Sequence, residues 1–299
     1  MKENDFLESA KRALNLEYGL PPGVLGIGDD CAVLPYNEEF DLLATCDTLV
    51  LGTHFTLDAT PSQVAHKLFA VNLSDIASMG GVPLYALLSL TVPNNLKETW
   101  LQNFLQALSS EAKTYSVPVV GGDTVGGSEL SLSLFLLGKV EKGKALLRSG
   151  AKVGDLVLVT GELGGTLESQ KHLNFSPRLK EAILLKKFFA PTAMMDLSDG
   201  LAEDGARLAL ASGVSLFLDS EKIPVRVGVN LEEALTGGED FELLFTISPQ
   251  NYSKDALEKF YKEADLKLTV IGCVEASKDE PFFLDQKPFR KRGYAHFRI

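Results

Sequence analysis

Residues 60–92 read TPSQVAHKLFAVNLSDIASMGGVPLYALLSLTV. Thr60 is a good cap and Pro61 suits a first turn, so a helix begins here. It is predicted to run to about Met79, where Gly80-Gly81 and Pro83 stop it. Leu84 to Val92 then reads as a strand. A helix passing into a strand points to a mixed class, and the rest of the chain repeats the alternation. Upstream, Leu7 to Leu16 reads as an amphipathic helix, Leu25 to Leu34 as a Gly/Asp-rich loop and Asp41 to Cys46 as a strand. Downstream come a helix over Leu96 to Tyr115, a short strand over Val117 to Val120 and an alternating strand ending at Leu137. Arg148 to Gly154 reads as the passage into a second unit. Strands follow at Asp155 to Thr160, Ala193 to Asp196, Val214 to Leu218, Phe241 to Thr246 and Lys267 to Val274. Helices are predicted at Arg178 to Phe189, Asp199 to Ala211 and Tyr252 to Ala264. The class is therefore α/β (α+β) in both halves. At 299 residues two domains fit better than one, and a split near residue 140 gives 1–140 and 141–299.

The chain is 45% hydrophobic and 23% charged, as expected of a soluble globular protein. Its net charge of −11 repels a phosphate backbone, so no nucleic acid is expected as a partner. The three cysteines, Cys31, Cys46 and Cys273, are scattered and give no zinc spacing, which suits a reducing compartment. No apolar run is long enough to span a bilayer, and the N-terminal stretch is charged. A cytoplasmic enzyme without membrane contact is the expectation.

Five segments place a carboxylate beside Gly or Ser at the edge of an apolar run. They are Gly28-Asp29-Asp30, Thr45-Cys46-Asp47, Asn72-Leu73-Ser74-Asp75, Gly121-Gly122-Asp123 and Asp196-Leu197-Ser198-Asp199. Any one alone reads as a cap or turn. Together they read as a convergence, because Asp47, Asp123 and Asp196 each follow a predicted strand and Asp75 lies inside an apolar helix. Gathered carboxylates need cations, and an all-oxygen site selects a hard ion such as Mg²⁺. Such ions keep positions for phosphate oxygens, so several Mg²⁺ around a nucleotide triphosphate are expected. Glycines at 26, 28, 121, 122, 126 and 127 would let the backbone approach phosphates. Gly138 to Ala145 (GKVEKGKA) nearly spells a Walker A loop. Ala145 stands where the Mg-binding hydroxyl belongs, so the stretch reads as a charged hairpin or linker.

The motifs GIGDDCAVL (26–34), CDTLVLGTHF (46–55), KLFAVNLSDIASMGGVP (67–83), VVGGDT (119–124), RSGAKVGD (148–155), MDLSDGLAED (195–204) and TGGEDFELLFT (236–246) resemble, in this order, the thiamine-monophosphate kinase family of the aminoimidazole ribonucleotide synthetase superfamily. The likeness runs from about residue 26 to GYAHF (293–297). It implies an N-terminal α/β domain whose sheet pairs with a second subunit, a C-terminal α/β domain, and ATP in the cleft between them. Carried over by position, Asp30, Asp47, Asp75, Asp123 and Asp196 would bind Mg²⁺, with Asp199 on a further ion. Thr45 and Cys46 stand where the family has a metal-contacting Ser/Thr pair. Gly122, Asp123, Arg148 and Ser198 would touch ATP, while His54, Glu239 and Tyr294 would hold thiamine monophosphate. Cys46 departs from the family's Thr, and a neutral thiol is a poor Mg²⁺ ligand. Either its carbonyl makes the contact or one ion is held more weakly.

The implied reaction is ATP-dependent conversion of thiamine monophosphate to thiamine diphosphate by a homodimer. No general base is expected, because the attacking phosphate oxygen is already ionised at neutral pH. The rival readings are another ATP-using enzyme of the superfamily and a non-catalytic Mg-nucleotide-binding protein.

Overall fold

The computed structural model describes residues 6, 9–10, 12–14, 19–291 and 293. The helix expected over Leu7 to Leu16 lies largely outside them. A first sheet is built from β1 (Ala32–Pro35), β2 (Phe40–Val50), β3 (Val82–Pro93), β4 (Val119–Gly127) and β5 (Ser131–Glu141), in the order β1-β2-β5-β3-β4. Its pairs are antiparallel except β3 with β4. Helix α1 (Pro61–Ser78) packs on β2 and β5, and α2 (Glu98–Thr114) packs on α1.

The second sheet comprises β6 (Leu156–Thr160), β7 (Ala193–Asp196), β8 (Val214–Leu218), β9 (Leu243–Ile247), β10 (Leu268–Ala276), β11 (Phe282–Leu284) and β12 (Lys287–Pro288). Its order is β12-β11-β8-β10-β6-β9-β7. Around it lie α3 (Leu179–Phe189), α4 (Leu201–Ser212), α5 (Leu231–Thr236) and α6 (Lys254–Ala264). The short α5, β11 and β12 carry too few residues to show a period and were not foreseen.

α1 joins the two halves. It opens with a reciprocal capping box: the Gln63 N–H donates to Thr60 Oγ1 at 3.2 Å, and the Thr60 N–H to Gln63 Oε1 at 3.0 Å. It closes with paired bonds from the Gly80 N–H to the Ala77 carbonyl and from the Gly81 N–H to the Ile76 carbonyl, with Gly80 at φ +65°. Leu68, Leu73 and Ile76 face the core of the first sheet, while Ala77 belongs to the core shared by β6, β9 and α3. A helix apolar on all sides is a buried helix, and this one lies between two sheets.

The strands of the first sheet run further than the sequence suggests. β2 pairs with β5 without a break from Phe40 opposite Glu141 to Val50 opposite Ser131, so Asp47 lies within the strand and not after it. Asp123 likewise lies in the middle of β4. Side chains alternate between faces of a strand. Leu43, Thr45 and Leu49 turn inward with Leu132, Leu134 and Leu136 of β5. Ala44 and Cys46 turn outward, in rows with Leu137 and Tyr85 and with Phe135 and Leu87. This outer face exposes Tyr85 and Leu87. The Walker-like stretch has no loop-to-helix geometry: Gly138 to Glu141 complete β5, and a turn follows.

Candidate active site

The centre is a triad of carboxylates from distant parts of the chain. Asp30 precedes β1, Asp75 lies in the last turns of α1, and Asp196 ends β7. One oxygen from each lies within 4.8 Å of the others. Every member is pinned at one oxygen by a donor of the chain. Arg148 reaches Asp30 Oδ1 through Nε at 3.0 Å and Nη2 at 2.5 Å. The Thr45 hydroxyl donates to Asp75 Oδ2, and the Ser74 hydroxyl to Asp196 Oδ2 at 2.5 Å. The other oxygen of Asp30, Oδ2, is buried with no hydrogen-bond partner.

A buried acceptor without a donor is costly, and three carboxylates at this separation repel. Burial, together with Asp47, Asp196 and Asp30, pushes the Asp75 carboxyl well above the usual range. Burial and Asp30 do the same to Asp196. Asp29 is pushed up to about 7 by burial and by Asp30, although it accepts the Arg148 backbone N–H at 3.1 Å. The donor set is oxygen throughout, with one buried oxygen lacking a partner. These residues fit a hard divalent cation and do not fit a soft one.

Asp47 lies beside Asp75 of the triad, and Asp199 follows three residues after Asp196. Asp47 sits two residues beyond Thr45 on the inward face of β2, and its N–H donates to Asn72 Oδ1 of α1 at 3.1 Å. Asp199 is held by Arg207 of α4, which also bonds Asp204 Oδ1 at 3.0 Å. The Asp199 N–H donates to Asp204 Oδ2 at 2.9 Å. Burial and Asp199 push Asp204 up to about 7.

A second group lies toward the other end of α1. Lys67, fully buried, donates to both oxygens of Glu239 at 2.7 Å and to the His54 carbonyl at 2.8 Å. His54 Nδ1 accepts the Val50 N–H at 3.0 Å, which places the ring proton on Nε2. The Glu239 N–H donates to the Ser198 carbonyl at 2.7 Å, with Glu239 itself at φ +65°. Phe241, at φ +49°, stacks on Phe175 with ring centroids 4.1 Å apart. His66 completes this edge, one ring nitrogen 3.1 Å from Glu111 and the other 2.7 Å from the Phe175 carbonyl.

Residues 28–140 match the family described as AIR synthase related protein, N-terminal domain, and residues 116–285 match its C-terminal domain. The thiamine-monophosphate kinase of Salmonella typhimurium is 37% identical over 301 residues, covering 91% of each chain. That of Bacillus subtilis is 34% identical over 307 residues, covering 92% of this chain and 94% of its own. This chain belongs to the thiamine-monophosphate kinase family. A solved structure described as AaThiL complexed with AMPPCP and TMP superposes with a TM-score of 0.86 at 32% identity, covering 99% of this chain and 97% of that one.

Of the residues this kinase family pattern nominates, the fold gathers Asp30, Thr45, Asp75, Asp196 and Arg148 at one point, with Asp47 alongside. His54, Glu239 and Ser198 meet through Lys67 and the backbone. Cys46 does not join them by its side chain, which turns to the outer face of the sheet and is exposed. Gly122 and Asp123 do not join them within one chain. β4 is the far edge strand, three strands from β2, about 14 Å at the usual strand spacing. Asp123 shares a row with Ser89, Ser133 and Thr48, the face opposite to Asp47. Tyr294 lies outside the described residues. Sequence reasoning missed Lys67, Ser74, Asn72, Asp204 and Arg207. Lys67 carried a signal, the one basic charge of Lys/Arg type in a helix rich in apolar residues, set directly before Leu68-Phe69.

Proposed function

We propose that this chain transfers the γ-phosphoryl group of ATP to thiamine monophosphate, giving thiamine diphosphate and ADP, by direct in-line displacement. The observation that carries the reading is the triad of Asp30, Asp75 and Asp196, with its partnerless buried oxygen, in a chain of this kinase family. Asp30, Asp47, Asp75 and Asp196, with Thr45 and the Cys46 carbonyl, would hold several Mg²⁺ ions, and Asp199 a further one. Bound there, the metal supplies charge neutralisation between two polyanions that otherwise repel. Arg148 is fixed by Asp30 and presents its guanidinium beside the same point, where it would meet the triphosphate with Gly122, Asp123 and Ser198. His54, Glu239 and Tyr294 would hold the acceptor. The chain needs no general base, since the attacking phosphate oxygen carries its charge already. Its work is to fix the two substrates in line and exclude water.

The same reading supplies a reason for a homodimer. Asp123 is exposed on the outer face, next to the exposed Gly122 and on the side of the sheet that carries an uncovered apolar patch of Cys46, Tyr85, Leu87, Phe135 and Leu137. Asp123 stands on an edge strand, on the face opposite to Asp47, and we infer that a second copy seated on that patch would carry its own Asp123 toward the triad. We place the division into two domains near residue 140, between β5 and β6, and the enzyme in the cytoplasm. No helix among the described residues is long and apolar enough to cross a membrane.

The test is ADP release measured with and without thiamine monophosphate, with and without EDTA, together with detection of thiamine diphosphate. Stimulation by thiamine monophosphate that EDTA abolishes is expected, with inversion at a chiral γ-phosphate. ADP release indifferent to the acceptor would leave a different enzyme of the superfamily or a nucleotide-binding protein.

A further inference from the structure

Lys67 is the one fully buried lysine among the described residues, and the reaction as derived gives it no part. Its ammonium has three donors and meets three acceptors, the two Glu239 oxygens and the His54 carbonyl. Burying a lysine costs hydration that only close pairing offsets. The pairing here crosses the molecule: His54 lies in the turn after β2, while Glu239 lies in the segment before β9. Glu239 is further constrained by its left-handed backbone and by its N–H on the Ser198 carbonyl. Lys67 and Asp75 are eight residues apart on one helix, about 12 Å along its axis. One rigid element thus carries both the metal-binding end of the site and the end where His54 and Glu239 meet.

We propose that Lys67 is a positioning residue for the thiamine end of the acceptor, holding the Glu239 carboxylate and the His54 turn in a single arrangement across the two halves of the chain. This rests on the reading that His54 and Glu239 hold thiamine monophosphate. Lys67 neutralises Glu239, so the pocket takes a cationic thiazolium by placement of the carboxylate and not by an unpaired negative charge. Among the described residues the Lys67 ammonium bonds only the Glu239 carboxylate and the His54 carbonyl, and Ser198 meets Glu239 through the backbone alone, so loss of Lys67 bears on the acceptor before the nucleotide.

The experiment is a double-mutant cycle of Lys67→Met and Glu239→Gln in the full chain, with KM measured for each substrate. Lys67→Met should raise KM for thiamine monophosphate by about tenfold or more, and leave KM for ATP within about twofold. In the Glu239→Gln background the same substitution should add less than about twofold, because it acts through the carboxylate. Parallel rises in both KM values, or the full factor persisting in the Glu239→Gln background, would reduce Lys67 to a structural residue. Should Lys67→Met fail to fold, Lys67→Gln takes its place. The unmutated protein gives an independent reading: the Lys67 ammonium ¹⁵N signal should shift on titration with thiamine monophosphate and stay still with AMPPCP. Its staying still with both would overturn the proposal. A wild-type chain that releases no ADP in response to thiamine monophosphate would overturn the function itself, which the cycle alone cannot do.

Discussion

Asp75→Asn should stabilise the metal-free protein and disable the loaded one. Ionised, Asp75 faces Asp30 and Asp196, with oxygens up to 4.8 Å away. At an effective dielectric constant of about 20, each pair costs about 3.5 kcal/mol, so the charge costs about 7 kcal/mol. The alternative is to keep a proton. At pH 8 that holds a carboxyl about four pH units above its ordinary value, about 5 kcal/mol relative to the unfolded chain. Asparagine meets neither cost. It also keeps an oxygen for the Thr45 hydroxyl. The ceiling on the gain is therefore about 5 kcal/mol, and at about 2 °C per kcal/mol for a chain of this size a rise in Tm of about 3–10 °C is expected in EDTA at pH 8. The sign follows from linkage. A carboxyl whose folded pKa is raised favours folding at low pH and loses that contribution as pH climbs through the folded value, so the gain should shrink toward pH 5. With saturating Mg²⁺ the order reverses, and kcat should fall about a thousandfold, about 4 kcal/mol in the barrier. Differential scanning fluorimetry across pH, with and without Mg²⁺, measures the melting shifts, and ADP release under saturating substrates measures kcat. A variant that melts at or below wild type in EDTA at pH 8, or that gains from Mg²⁺ as wild type does, would refute the reasoning.

Arg148→Lys replaces a two-pronged grip on Asp30 by a point charge, so KM for ATP should rise about tenfold with KM for thiamine monophosphate unmoved; steady-state kinetics that show both constants unchanged would remove Arg148 from the nucleotide site. Gly122→Ala would place a Cβ 1.7 Å from the Leu88 carbonyl oxygen at φ +155°, so β4 must part from β3; a loss of about 2–4 kcal/mol by urea unfolding is expected. His66 faces two acceptors, a geometry only the imidazolium satisfies, and the hydrogen bond to Glu111 raises its pKa against burial. Its contribution to stability is full below the unfolded value near 6.5 and is lost as pH rises through the folded one. Comparing wild type with His66→Gln in saturating Mg²⁺, the Tm difference should be largest below pH 6.5 and close above it; a constant difference would count against the imidazolium.

The acidic segments were legible because each is a local violation: an aspartate beside glycine or serine where an apolar run should continue. Asp75 among Val71, Ile76 and Met79 is the clearest case, and the triad it forms with Asp30 and Asp196 was foreseeable as a convergence. The mixed fold was legible for the same reason that α1 was, since caps, glycines and periods are short-range signals. What stayed hidden depends on pairing at a distance. β2 continues through Asp47 because β5 offers partners to Val50, and no residue near Asp47 announces that. The direction of Cys46 followed from a register set by β5, so the motif position paired it with Thr45 while the pleat turned its thiol away. Asp123 looked equivalent to Asp47 in sequence, yet β4 closes the opposite edge of the sheet.

α1 shows why such a site can be built from segments so far apart. A buried helix must satisfy every polar side chain it carries. Lys67 bonds Glu239 and the His54 carbonyl, Asn72 receives the Asp47 N–H, Ser74 donates to Asp196, and Asp75 accepts from Thr45. The bonds reach four segments: β2 at Thr45 and Asp47 and the turn at His54 in the first half of the chain, β7 at Asp196 and the stretch before β9 at Glu239 in the second. The polar residues that look misplaced in an apolar helix are thus the ones that set where the surrounding loops lie. A change that untied one of them would move the segment it holds and leave the helix standing. For this reason, substitutions on α1 should separate by substrate: those near Asp75 act on metal and ATP, and those near Lys67 act on the acceptor, with the helix itself as the common ruler.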